Sequence, residues 1–242
     1  MIISVANQKG GQGKSTLAQA IATGAAHRGK KSLAIDFDPQ SNLSFSMGGN
    51  IADLGAYDLL KGVKPAQIIQ KTAQGDIIPA RLNLANVGDI SETALRDAIK
   101  SIVKKYDVIT IDTPPTLNIL QLNALIASDT VIIPLTADIY ALQGLYQLAD
   151  TIKNIQAKYK GVAQIGGAVF MRHNQRTVLA RDLADVIGDT CAKLEIPLYK
   201  TTIREGVAVR EAQTQRQSIF DYAPKAAVTK DFNKLLDEIG IK

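Results

Sequence analysis

Short apolar runs alternate along the chain with longer segments in which apolar residues recur every three or four positions. Four runs rich in Ile and Val predict strands, two more runs are candidates, and the intervening segments have helical spacing. This alternation is typical of an α/β fold with a mostly parallel twisted sheet and helices on both faces. The predicted strands are Ile2–Ala6, Ser32–Phe37, Val108–Asp112 and Thr130–Leu135, with Gln164–Phe170 and Leu198–Ile203 as the two candidates, and the predicted helices are Thr16–His27, Ser91–Lys105, Asn118–Ala127, Leu142–Lys158, Thr177–Leu194 and Lys225–Ile239.

Composition limits the class of protein. A chain of 242 residues that is 46% hydrophobic can bury a large core, and we expect one domain over residues 1–242. A single cysteine, Cys191, excludes a disulfide or a cysteine-held metal cluster within one chain, and we expect it to be buried. No apolar stretch approaches the roughly 20 residues that cross a bilayer, so we expect a cytoplasmic protein. The net charge of +5 permits a polyanionic partner without requiring one.

The segment from Asn7 to Thr16 follows the first predicted strand and reads Asn-Gln-Lys-Gly-Gly-Gln-Gly-Lys-Ser-Thr. Glycines let the backbone approach a polyphosphate, and the following helix favours negative charge at its N-terminus. We therefore predict a P-loop in which Lys14 neutralises the β/γ-phosphates of a bound nucleotide and Ser15 coordinates Mg²⁺. A glycine-rich turn with solvated lysines is the plainer alternative, which the order of strand, loop and apolar helix disfavours. The expected nucleotide-binding residues are Lys9, Gly10, Gly11, Gln12, Gly13, Lys14, Ser15 and Thr16.

Lys9 is a second lysine inside this loop. Because Lys14 already serves the phosphates, another cation aimed at the same groups adds little. Lys9 could instead reach a nucleotide held by a facing subunit.

Two acidic motifs end predicted strands, where a doubly wound sheet binds its ligands. Asp36 and Asp38 lie two residues apart on an extended segment, so they point to the same side, and Pro39 places Asp38 at the mouth of its strand. Asp112 ends an apolar strand and suits a Mg²⁺ ligand, directly or through water. Simple Asp-Pro turn chemistry is the alternative for each motif. With the loop they fit a nucleotide hydrolase in which Lys9, Lys14 and Asp38 are catalytic and Asp38 positions water.

These motifs resemble those of the ParA (Soj-like) partition ATPases, which are P-loop proteins with a deviant Walker A motif related to MinD. The resemblance covers nearly the whole chain. It includes the loop at 7–16, Ile-Asp-Phe-Asp-Pro-Gln-Ser-Asn at 35–42, Ile-Asp-Thr-Pro-Pro at 111–115 and Asn-Ala-Leu at 123–125, and it continues at 131–134, 140–145, 176–177, 201–203 and 211–212.

The resemblance implies an ATP-dependent sandwich homodimer in which Lys9 contacts the other subunit's nucleotide. It also implies nonspecific binding to double-stranded DNA, association with the nucleoid, and a ParB-like centromere-binding partner that stimulates slow hydrolysis. Asp38 matches an aspartate needed for hydrolysis, and Gly10 matches a glycine needed for close approach of the subunits. The expected cargo is a plasmid or a chromosome.

The chain departs from the family pattern at three places. Gln12 stands where the family usually has an apolar residue, and we expect little effect. Residues 117–119 replace a more glycine-rich stretch, so we expect a different response to the partner. Ile203–Ala208 replaces a segment that lines the adenine pocket, so Arg204 and Gly206 occupy altered positions of that pocket.

Any DNA contact should be a set of basic residues on one face that read phosphate. Base stacking is not expected, since the chain has no Trp and 5% aromatic residues. Because the chain begins at its first strand, we expect no operator-binding segment. Ordinary solvated charge is the alternative for each basic residue. The candidates for DNA contact are Lys200, Arg204, Arg210, Arg216, Lys225 and Lys230.

Two other functions are open. A MinD-like ATPase that positions membrane-bound or protein cargo would need a basic amphipathic C-terminal helix. The segment Lys230–Ile239 is amphipathic but has as many acids as bases, which favours packing on the domain and no membrane partner. A ligase on the same fold would not need Lys9, and a nitrogenase-type reductase would need two cysteines per chain.

Overall fold

Residues 1–138, 140–173 and 178–242 are described in the structure of the chain, a computed structural model. The described strands form one sheet of seven strands. They are β1 (Ile2–Val5), β2 (Ser32–Asp36), β3 (Gln70–Thr72), β4 (Gly75–Ile78), β5 (Val108–Asp112), β6 (Thr130–Leu135) and β7 (Gln164–Phe170). Their order across the sheet is β3-β4-β2-β5-β1-β6-β7, and all neighbours are parallel except β3 and β4.

The helices follow the strands in a βαβ pattern. They are α1 (Lys14–His27), α2 (Asn42–Ser46), α3 (Ala56–Leu60), α4 (Pro65–Ile68), α5 (Ala94–Ile99), α6 (Ile119–Ala127), α7 (Tyr140–Lys158), α8 (Val178–Lys193), α9 (Val207–Thr214), α10 (Ile219–Tyr222) and α11 (Ala227–Ile239). Short 3₁₀ turns occur at Leu82–Asn86 and Val103–Lys105.

Alternate residues of the buried strands enter cores on opposite faces of the sheet. Ala34 packs with α1, α10 and α11 on one face, whereas Leu33 and Ile35 pack with α3, α5 and α6 on the other. Val131 and Ile133 extend this second face under α7 and α8. The doubly covered parallel sheet predicted from the sequence is therefore confirmed.

The prediction of a strand at Leu198–Ile203 is wrong. One isolated bridge joins Leu198 to Ala168 of β7. The Pro197 carbonyl accepts a bond from the Ala168 amide at 2.7 Å, and the Tyr199 ring covers Gly167, where an added Cβ would lie 2.8 Å from that ring. Within the predicted strand, the Lys200 and Thr201 amides donate to the Glu238 carboxylate of α11 instead of to β7, so this segment covers the edge of β7 without pairing regularly.

Two further differences involve weak local signals. The predicted helix Ser91–Lys105 is shorter than expected, because α5 ends at Ile99 and only a 3₁₀ turn follows. The hairpin of β3 and β4 lies in Ser41–Leu84, the least regular stretch of the sequence, and β3 reads Gln-Lys-Thr with no apolar alternation. The predicted start of α8 at Thr177 lies outside the described residues, as does the Arg176-Thr177 motif.

The carboxyl ends of the central strands meet beside the loop that follows β1. The register pairs Val5 with Asp112 and Asp36 with Asp112, so these strand ends lie at one level. The loop from β1 to α1 therefore opens at the edge of the sheet where both acidic motifs lie.

The C-terminal helix packs on the domain. Val228, Phe232, Leu235 and Leu236 of α11 are buried, so the apolar face of α11 is occupied, as the balanced charge of this segment predicts. In the described part of the chain, no helix has both the length and the apolar character needed to span a bilayer.

The contact between α1 and α11 depends on a glycine. A Cβ added to Gly24 would lie 2.4 Å from Leu236 Cδ1 and 2.9 Å from Phe220 Cζ. We expect Gly24→Ala to lower the free energy of unfolding by about 1–3 kcal/mol through overpacking, measured by urea denaturation. Gly188→Ala in α8 is the matched control. Its Cβ would meet nothing closer than Leu198 at 3.9 Å, so it should stabilise by about 0.5–1 kcal/mol. Equal effects of the two variants would contradict this packing.

Candidate functional site

The loop between β1 and α1 has the backbone of an anion-binding nest. Gly11 and Gly13 have φ of 73° and 86°, in the left-handed region that favours glycine. The helix begins at Lys14, directly after Gly13, and no side chain caps its first turn. The first amide groups of α1 therefore face the cleft in an arrangement that suits a phosphate.

Lys14 is held inside this loop. Its side chain is buried, and Nζ donates a hydrogen bond to the Lys9 carbonyl at 3.1 Å. Burial lowers the pKa of Lys14, while the negative charges of Asp112 and Asp38 act in the opposite direction. A bound polyphosphate would supply the remaining counter-charge.

Asp112 ends β5 as a fully buried carboxylate. Neither of its oxygens has a hydrogen-bond partner among the described residues. Burial raises its pKa well above the ordinary value and the charge of Asp36 adds to the rise; the Ser15 hydroxyl and Lys14 oppose it, although Ser15 lacks hydrogen-bond geometry. A buried acceptor with no donor, close to a hydroxyl, fits the donor set of a Mg²⁺ ion.

The carboxylates of Asp36 and Asp38, at the end of β2, have different surroundings. Asp36 Oδ2 accepts bonds from the Ser44 amide at 2.7 Å and the Ser44 hydroxyl at 2.6 Å, and burial raises the pKa of Asp36 to about 6. Asp38 instead lines the cleft, where its Oδ1 accepts a bond from the Gln40 amide at 3.0 Å. Asp36 therefore anchors α2, and Asp38 is the carboxylate that faces a ligand.

Lys9 and Gln12 belong to a second polar network beside the loop. Lys9 Nζ lies 2.6 Å from Asp138 Oδ1, and the Thr136 hydroxyl donates to Asp138 Oδ2 at 2.5 Å. Buried Gln12 accepts a bond from the Thr136 amide at 2.8 Å, and its Oε1 also lies 2.8 Å from the Thr136 hydroxyl oxygen. Partial burial tends to raise the pKa of Asp138, but the bonds from Lys9 and Thr136 outweigh it and hold the pKa below its usual value.

One cleft of about 580 Å³ opens at the loop, and Lys14, Ser15 and Asp38 line it. The carboxylates of Asp36 and Asp112 are fully buried beneath it and are absent from its described lining. Of the predicted loop residues, Gly10, Gly11, Gly13, Lys14, Ser15 and Thr16 line it, whereas Lys9 and Gln12 are absent from its described lining. Sequence reasoning missed Arg172, which follows β7 and also lines the cleft. No sequence motif marks Arg172, because it follows β7, a strand that is distant in sequence from the loop between β1 and α1.

The segment that was predicted to line the adenine pocket borders the same cleft. Ile203, Arg204, Glu205 and Gly206 all line it. The guanidinium of Arg204 donates to Asp231 of α11 at 2.6 and 2.9 Å, so it is oriented by that carboxylate. A Cβ at Gly206 would lie 3.0 Å from Val228, so this glycine allows the segment to pack closely on α11.

All six candidates for DNA contact are exposed. Three of them also have local contacts. Arg204 pairs with Asp231, Arg210 lines the cleft, and the Arg216 guanidinium lies 4.6 Å from the centroid of the Phe45 ring. The remaining three are Lys200, Lys225 and Lys230.

The chain is similar to known proteins over its whole length. The family described as an AAA domain matches residues 1–165. The sporulation initiation inhibitor protein Soj of Bacillus subtilis is 35% identical, and the match covers 99% of this chain and 98% of that protein. The chromosome-partitioning ATPase Soj of Treponema pallidum is 34% identical over 96% of this chain and 94% of that protein.

A solved structure shares both the fold and part of the sequence. The cobyrinic acid a,c-diamide synthase of Mycobacterium smegmatis, with a bound ATP analogue and magnesium, superposes with a TM-score of 0.79 and 30% identity. The match covers 89% of this chain and 92% of that one.

Lys14 is the cation buried at the base of the cleft, and its removal should abolish nucleotide binding. We expect Lys14→Ala to weaken binding of a fluorescent ATP analogue by on the order of a hundredfold or more, because the charge-assisted hydrogen bonds of the ammonium group to the phosphates are lost. Lys100→Ala, at the exposed end of α5, is the matched control and should bind as the wild type does. Retained affinity in a folded Lys14→Ala protein would contradict this site.

Proposed function

Since the chain belongs to the Soj/ParA family of partitioning ATPases, we propose that it moves a DNA cargo by alternating between an ATP-bound dimer on DNA and a released form. The observation that carries this proposal is the position of Lys9. Its ammonium group lies against Asp138, beside the loop, whereas Lys14 of the same loop lines the cleft.

ATP binds in the cleft in this proposal, with Mg²⁺ beside the β- and γ-phosphates. The Gly11 and Gly13 turns, the uncapped start of α1 and Lys14 support the phosphate site. Ser15 and the unpaired carboxylate of Asp112 are the residues that would hold Mg²⁺. The ion would neutralise charge that develops on the phosphates during hydrolysis.

Hydrolysis depends on residues at the γ-phosphate end of the cleft. Asp38 is a cleft carboxylate outside the proposed Mg²⁺ ligand set, so we assign to it the orientation of the attacking water. Lys14 neutralises the phosphates from within the subunit. A ParB-like partner would then act on the loop after Pro115, where Leu117 is exposed.

Lys9 completes the site across a dimer. The Lys9 ammonium group is paired with the Asp138 carboxylate of its own subunit. It can exchange this carboxylate for the phosphate of a nucleotide in the facing subunit and remain paired with a negative charge. Gly10 lines the cleft and has nothing within 4 Å of an added Cβ, which leaves room for close approach of the second subunit.

DNA is bound through phosphates, without base recognition. Lys200, Lys225 and Lys230 are exposed on the α11 side of the molecule, and a dimer would double their number. Binding of this kind falls steeply with salt because counterions are released. The protein would associate with the nucleoid whenever ATP holds it as a dimer.

The cross-subunit role of Lys9 gives the first prediction from this mechanism. Lys9→Ala should still bind ATP as a monomer, because Lys9 is not part of the described cleft lining, but it should lose ATP-dependent dimerisation. Light scattering with a slowly hydrolysed ATP analogue and Mg²⁺ measures this. Lys30→Ala, exposed after α1, is the control. A Lys9→Ala protein that dimerised normally would show that the cross-subunit contact is wrong.

The DNA cycle gives the second prediction. We expect nonspecific double-stranded DNA to be bound with ATP and Mg²⁺ but not with ADP or without nucleotide. The affinity should fall by on the order of a thousandfold between about 50 and 200 mM salt if six or more phosphates are neutralised. Asp38→Ala should prolong the bound state, because hydrolysis fails.

The control for this measurement compares two double variants of equal charge. Lys225→Ala with Lys230→Ala should weaken DNA binding. Lys104→Ala with Lys105→Ala changes exposed residues that precede β5, at the amino ends of the parallel strands, and should not. Absence of DNA binding in every nucleotide state would overturn the DNA cargo.

A further inference from the structure

Arg172 has a strained backbone that its neighbours impose. Its φ of 51° lies in the left-handed region, which is unfavourable for a residue other than glycine. The Met171 amide donates to the Leu135 carbonyl at 2.7 Å, and the His173 amide donates to the Ile203 carbonyl at 2.9 Å. Both flanking residues are therefore fixed, and strain that is maintained in this way is typical of a functional position.

This backbone conformation accompanies a side chain directed at the P-loop. Arg172 Nη2 donates to the Gly11 carbonyl at 2.5 Å. The preceding residue packs on the same loop, because a Cβ at Gly13 would lie 3.3 Å from Met171 Cε. The end of β7 thus forms a wall against the loop, and Arg172 lines the cleft together with Lys14.

The guanidinium has more donors than this contact uses. It carries five N–H groups in a planar fork, and among the described residues it donates only to the Gly11 carbonyl. A planar fork matches the oxygens of a phosphate better than a lysine ammonium does. We propose that Arg172 binds the phosphates of a nucleotide in its own subunit, while its bond to Gly11 keeps the guanidinium at the loop.

The sheet order indicates which phosphates it reaches. Asp38 follows β2 and Asp112 ends β5, and both strands lie on one side of β1. These residues mark the γ-phosphate and the metal in the proposed function. Arg172 follows β7, on the opposite side of β1. Arg172 therefore contacts the α- and β-phosphates, which ATP and ADP share. This assignment rests on the proposed binding of ATP in the cleft.

The test compares the affinities of two nucleotides. Binding of mant-ADP and mant-ATPγS with Mg²⁺ is measured for the wild type, Arg172→Gln and Arg172→Lys. Arg172→Gln keeps an N–H donor for the Gly11 carbonyl but loses the charge. We expect it to weaken both nucleotides by about tenfold or more, with an unchanged ratio between them. Arg172→Lys keeps the charge and should lose less affinity for both.

The test also needs a control variant, and four results would contradict the proposal or the function on which it rests. Arg181→Gln, an exposed arginine on α8, should bind like the wild type, and thermal unfolding checks that all variants fold. Wild-type affinity in Arg172→Gln, or an equal loss in the Gln and Lys variants, would overturn the phosphate contact. Loss for mant-ATPγS alone would overturn the assignment to the α- and β-phosphates. A wild type that bound neither nucleotide would overturn the proposed function, and this inference with it.

Discussion

The burial of the Asp112 carboxylate is the constraint on which the cleft depends. A buried carboxylate without a hydrogen-bond donor is strongly unfavourable when ionised. The neighbouring strand adds Asp36 at the same level, and Lys14 is the nearby cation that opposes these charges. Burial therefore favours the protonated form of the Asp112 carboxyl group, and a divalent cation bound beside it would stabilise the ionised form.

The sequence predicted the architecture well because strong local patterns specify it. Ile and Val runs marked the central strands, and buried strands read as nearly continuous apolar segments in a covered sheet. The prediction of a strand at Leu198–Ile203 was wrong for a physical reason. This run has one isolated bridge to the sheet edge, and its Lys200 and Thr201 amides bond to Glu238 instead of to β7. The β3–β4 hairpin was missed because its pairing holds polar residues such as Lys71.

The candidate site was predictable where one short segment carries the chemistry, as at Lys14 and Ser15. It was not predictable where distant segments meet. Gln12 was expected to have little effect, yet its side chain is buried and bonded to Thr136, which connects the P-loop to the end of β6. Arg172 likewise depends on the packing of Met171 against Gly13, a contact between residues that no motif joins.

Lys9 and Lys14 lie five residues apart in one loop but belong to different sites in the proposed dimer. A chain that lacks Lys9 spoils its partner's site, and a chain that lacks Lys14 spoils its own. A dimer formed from one chain of each kind would concentrate both defects in one site and leave the other complete. The separation of these two side chains would therefore appear genetically as complementation between two inactive alleles.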